Sequence, residues 1–112
     1  MTLSEMTKLL KADIRHDQCA DRELFTAFAG DMLSDVLALG RQPDVLLTGL
    51  VNPQVIRTAE MLDTACVVFV RGKVPTDSIL ELAAACGVTV LTSGLDLFEA
   101  SGILFNAGIQ PA

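Results

Sequence analysis

Three short stretches of this chain carry the residue types that hold anions. Thr48-Gly49-Leu50-Val51-Asn52, Arg71-Gly72-Lys73 and Thr92-Ser93-Gly94 bring hydroxyls, glycines, two cations and helix-starting residues into play. Glycine lets a backbone approach a ligand closely. Helix N-termini present unpaired N–H groups and a partial positive charge, which favours negative ligands. The candidate ligand-binding residues are therefore Thr48, Gly49, Asn52, Arg71, Gly72, Lys73, Thr92 and Ser93. The ligand class they suit is an anionic small molecule such as a nucleotide or a phosphorylated metabolite. The same glycines and caps also serve simply to turn a chain, with Arg71 and Lys73 solvated, and residue types alone leave both readings open.

Groups for self-contained catalysis are scarce. His16 is the only histidine, close to Asp13 and Asp17 in a polar segment, and reads as a solvated or structural side chain. No His, Cys or carboxylate set has metal-ligand spacing. Gly72-Lys73 is followed by Val74 and lacks the earlier glycine of a phosphate-binding loop, and no Gly-x-Ser-x-Gly elbow occurs. Asp31, Asp35, Glu60 and Asp63 read as helix caps and solvated faces. Cys19, Cys66 and Cys86 contain no Cys-x-x-Cys pair and read as reduced packing residues, with Cys19 the most exposed. The chain is expected to be non-enzymatic and to need no cofactor.

The elements that hold these stretches are legible from apolar spacing. Thr2-x-x-Glu5 is a capping box ahead of Met6, Leu9 and Leu10, and predicts a short first helix. A short strand is expected around Asp13 to Arg15 and another over Leu24 to Ala29. Asp31 then caps a helix running through Leu39, with Leu33, Val36 and Leu37 as its apolar face and Gly40 beyond its end. From Asp44 the pattern is regular. Val45-Leu46-Leu47, Cys66 to Val70 and Val88 to Leu91 are apolar runs without polar alternation, as strands covered on both faces require. Helices follow each run, started by Asn52-Pro53, by Thr76 and by Ser93 with Asp96, and stopped in the last two cases by Gly87 and Gly108. Repeated strand-then-helix units predict an α/β fold: a three-layer domain with a mainly parallel central sheet and helices on both faces. In such a sheet ligands bind beyond the carboxyl ends of the strands, where the three stretches would gather.

Composition narrows the partners. The 112 residues suit one domain spanning 1–112, and about half of them are apolar, ample for a core. A net charge of −6, with the basic residues scattered, argues against nucleic acid and anionic membrane surfaces. Five Phe are too few for base-stacking platforms. No apolar run approaches the ~20 residues of a membrane span, and Met1 to Glu5 do not open a signal peptide, so a cytoplasmic location is expected.

Gly30-Asp31 with its following helix, Val45-Leu46-Leu47-Thr48-Gly49-Leu50-Val51-Asn52-Pro53, and Val67-Val68-Phe69-Val70-Arg71-Gly72-Lys73 together resemble a stand-alone DRTGG-domain protein. The similarity covers essentially the whole chain. DRTGG domains occur beside CBS domains in regulated pyrophosphatases and resemble the non-catalytic N-terminal domain of HPr kinase/phosphorylase. The resemblance implies an α/β domain used for regulation or assembly, and a homodimer. Two departures bear on ligand binding: Thr48-Gly49 is followed by Leu50 instead of a second glycine, and Asp31 by Met32 instead of Arg. Three functions follow as expectations. The first is a regulatory module sensing an anionic small molecule, and the alternative is an interaction or assembly protein that dimerises or docks onto an enzyme. An enzyme with an unrecognised site, in a cleft holding a perturbed acid or His16, is the third.

Overall fold

The computed structural model describes residues 1–19, 22–38 and 40–112. Thr2 caps helix α1 (Leu3–Leu9), its side chain accepting the Glu5 N–H, as the capping box requires. Strand β1 (Asp13–His16) and strand β2 (Thr26–Ala29) follow, then helix α2 (Leu33–Ala38). The regular half alternates β3 (Val45–Thr48), α3 (Pro53–Met61), β4 (Cys66–Phe69), α4 (Asp77–Cys86), β5 (Thr89–Thr92) and α5 (Leu97–Asn106), ending in β6 (Gln110–Pro111). Asn52 caps α3 with Pro53 behind it. Thr76 caps α4, and Gly87, left-handed at φ 72°, closes it.

All six strands form one sheet in the order β1-β5-β4-β3-β2-β6. β1 is antiparallel to β5, and every other pairing is parallel. In β3, β4 and β5 every residue is buried, which explains their unbroken apolar runs. The pleat still divides them by period two. Val45, Leu47, Cys66, Val68 and Leu91 meet Leu3 and Met6 of α1 and Ala100 and Leu104 of α5 on one face. Leu46, Val67, Phe69 and Val90 meet Val55, Ile56 and Ala59 of α3 and Ile79 and Ala83 of α4 on the other. The expected three-layer α/β architecture is therefore present. No helix among the described residues is long and apolar enough to cross a membrane.

Several local expectations need correction. Asp31 does not cap α2, which begins only at Leu33; its carboxylate reaches β3 instead. Leu39, the expected end of that helix, lies outside the described residues. The last helix is capped by Asp96, which accepts the Glu99 N–H, while the Ser93 hydroxyl turns inward to Leu10 O. Cys19 is buried and Cys86 is the partly exposed cysteine. Strand β6 carries no apolar signal, being a two-residue edge that ends on proline, the residue that edges tolerate.

The doubly covered β4 is the mechanical centre of this sheet. Val68 has no exposed surface. Val68→Asp is expected to lower unfolding free energy by several kcal/mol, since an unpaired carboxylate would enter a dry layer. Urea denaturation followed by circular dichroism checks this, and normal stability would mean that the strand is wrongly placed.

Candidate functional site

Because β2, β3, β4 and β5 run the same way, their carboxyl ends share one rim, and the antiparallel β1 brings its own start there too. The eight residues singled out from sequence all lie along this rim or just beyond it. Their side chains, however, are engaged to very different degrees.

The β2–β3 half of the rim is internally closed. Asp31 Oδ1 accepts the Thr48 hydroxyl at 3.1 Å and the Gly49 N–H at 2.8 Å, while Thr48 Oγ1 accepts the Leu50 N–H at 3.1 Å. Thus the two stretches that carry the family resemblance, Gly30-Asp31 and Thr48-Gly49, bind each other. Thr48 is fully buried and has no group left for a ligand. A Cβ at position 49 would stand 3.0 Å from the Arg71 guanidinium, so glycine here lets that side chain lie across the β3 turn. Asn52 uses its Oδ1 to cap α3 through the Gln54 N–H at 2.8 Å.

The β4–β5–β1 corner differs. Arg71 and Gly72 both adopt left-handed backbone, φ 60° and 68°, turning the chain sharply after β4. Their N–H groups are held by Leu95 O and Ser93 O. Thr92, nearly buried, accepts the Arg15 Nε at 2.9 Å, and the buried Ser93 hydroxyl binds Leu10 O at 2.7 Å and the Leu95 N–H. These hydroxyls position neighbours instead of facing outward. What remains open is a cleft of about 120 Å³ lined by Lys11, Asp13, Arg15, Gly72, Lys73, Thr92, Ser93 and Gly94, with Val74 at its side. Lys11 and Arg15 were not singled out from sequence. Only the antiparallel pairing of β1 with β5, Asp13 opposite Thr92, brings them there.

Larger recesses lie elsewhere among the described residues. An apolar groove of about 350 Å³ runs between α5 and the β2–β6 edge, flanked by Phe98 and Phe105. A polar recess of about 440 Å³ sits near the amino ends of the strands, beside Asp17, Arg22, Asp63 and Thr64. His16 lines neither, and its Nε2 is shielded without a hydrogen-bond partner among the described residues. Burial pushes the thiols of Cys19 and Cys66 up from the ordinary 9.0, which keeps them protonated and weakly nucleophilic. No group of three or more His, Cys, Asp or Glu positioned for a metal ion occurs among the described residues.

No protein-family model and no curated protein matches this chain. A solved structure shares its fold: the CBS and DRTGG domains of the regulatory region of Clostridium perfringens pyrophosphatase, complexed with its activator diadenosine tetraphosphate. The two superimpose with a TM-score of 0.77 at 21% identity over 92% of this chain. This chain spans 45% of the length of that one.

Carboxylates hold β2 to β3 at both ends. At the amino end Asp44 Oδ2 accepts the N–H groups of Phe25 and Thr26 at 2.8 and 3.2 Å, and at the carboxyl end Asp31 does the same work on Thr48 and Gly49. Asp31→Ala leaves the Thr48 hydroxyl without its acceptor, and is expected to lower stability by about 1–3 kcal/mol. Chemical denaturation measures the loss, and an unchanged midpoint would show the bracket to be idle.

Proposed function

We propose that residues 1–112 form one DRTGG-like regulatory domain, of the type expected in the N-terminal domain of HPr kinase/phosphorylase, that senses a small anionic molecule at the carboxyl rim of its sheet. A single observation carries this reading. On a chain with net charge −6, four of the eight Lys and Arg residues, Lys11, Arg15, Arg71 and Lys73, stand along that rim. Of the nearby carboxylates, Asp31 and Asp96 are engaged in holding backbone N–H groups and Asp13 is loosely paired with Arg15. Positive potential is thus gathered where open α/β sheets take ligands. The kinship of fold with a nucleotide-regulated region supports the same view, and the domain turns nothing over itself.

Binding should be visible as stabilisation. In a thermal-shift screen of nucleotides, acyl phosphates and sugar phosphates, a ligand at 100 times its dissociation constant adds about 2.7 kcal/mol. For a domain of this size that raises the melting temperature by roughly 10 °C or more. A flat response across all three classes would overturn the reading.

One observation favours assembly as a second role. Phe98 and Phe105 are 89% and 64% exposed beside the apolar groove on α5, and contiguous exposed apolar surface of this kind is what interaction sites present. A homodimer through this side would cover it. Light scattering is expected to give twice the chain mass, falling to the single mass in the Phe98→Asp, Phe105→Asp double variant. A single-chain mass for the unaltered protein at high micromolar concentration would remove this role.

A further inference from the structure

The cleft between β4, β5 and β1 is too small for a whole nucleotide. Pockets that enclose drug-sized molecules hold roughly 300–1,000 Å³, against about 120 Å³ here. It has room for one compact group, and its charges say which. Lys11, Arg15 and Lys73 face a single carboxylate, Asp13, so three cations against one anion leave a local balance of about +2. The Arg15 Nε is fixed on Thr92 Oγ1, which orients the guanidinium and leaves its terminal amino groups out of that bond. One of these, Nη2, stands 3.9 Å from Asp13, a loose and exposed contact that a stronger anion can replace. A carboxylate would neutralise only half of this charge. A phosphate monoester, carrying about −1.5 to −2 at neutral pH with three acceptor oxygens, matches it.

We infer that this cleft is a phosphoryl clamp for the terminal phosphate of a small monoester, held by Lys11, Arg15 and Lys73. The inference rests on the sensor reading above and sharpens its ligand class. The ester group of the ligand projects from the cleft over the exposed Val74 and Gly94. Selectivity follows from shape. Diadenosine tetraphosphate, whose phosphates all lie between two nucleosides, has no terminal phosphoryl to insert. Inorganic phosphate and simple monoesters do.

Amide NMR on the isotopically labelled chain tests this with inorganic phosphate, adenosine monophosphate, diadenosine tetraphosphate and acetate as probes. Phosphate and adenosine monophosphate should shift the amides of Lys11, Asp13, Gly72, Lys73 and Gly94 saturably, with acetate and the dinucleotide at least tenfold weaker. Lys11→Gln and Lys73→Gln should each weaken phosphate binding about tenfold, the scale of one lost charge-assisted hydrogen bond. Arg57→Gln, which removes the same charge from the exposed side of α3, should leave it unchanged. Unperturbed amides elsewhere in the spectrum confirm that each variant is folded. If acetate matches phosphate, or Arg57→Gln weakens binding as much as the two lysine variants, the clamp is overturned. If a nucleotide moves only the amides around Gly49 and Asn52, the clamp falls and the sensor reading stands. If no probe moves any rim amide, both fall.

Discussion

β3, β4 and β5 each have a strand neighbour on either edge and helices on either face, and almost everything else in this molecule follows from that double enclosure. A strand buried on both sides must pair every backbone group within the sheet and must present apolar side chains to both layers. The Val-rich runs meet the second demand. Meeting the first with parallel strands requires a crossover for each strand, and α3 and α4 supply two of them on one face. α5 has to travel back over the other face to set β6 against β2. The helices are thus obligatory covers for a sheet that has no wet side between its edges.

The same directionality makes the rim. Parallel strands end together, so the polar turns after β2, β3, β4 and β5 are gathered without any attraction between them. Once gathered, they sort by burial. Thr48, Thr92 and Ser93 are buried or nearly so, and a buried hydroxyl left unpaired costs about 1–3 kcal/mol. Each accordingly has a partner within the protein, Asp31, Arg15 and Leu10 O respectively. The long cations escape this requirement because their charged heads reach water. On the β4–β5–β1 corner the hydroxyls of Thr92 and Ser93 are thus taken up within the protein, while the cations beside them are left to face outward.

The fold held in common with the pyrophosphatase regulatory region concerns the scaffold. This chain spans under half of that one, at 21% identity. The left-handed Arg71-Gly72 turn, the bulge in β1 between Ile14 and His16, and the glycine beneath Arg71 shape the rim of this chain. The exposed phenylalanines of α5 flank the groove at the β2–β6 edge, whereas the cleft lies toward the β1 edge, so ligand and neighbour would not compete for one surface.

Much of the architecture was legible from residues alone, because it rests on local and periodic signals. Apolar runs without alternation marked the buried strands, and Asn52-Pro53, Thr76 and Gly87 marked helix ends through contacts within a few residues. Three features escaped. Strand β6 is too short and too polar to carry a period. Asp31 and Ser93 have the right types for helix caps, yet their partners stand 17 and 83 residues away in the chain, so local propensity was overridden by distant pairing. Lys11 and Arg15 looked like scattered solvated cations until the antiparallel β1 laid them beside Lys73. The order of elements and the double burial of the central strands were determined by the sequence itself, since hydrophobic period and capping act over a turn or two. Which polar groups face a ligand was decided only in the tertiary structure, because satisfying a buried donor depends on whatever the folded chain brings within 3 Å.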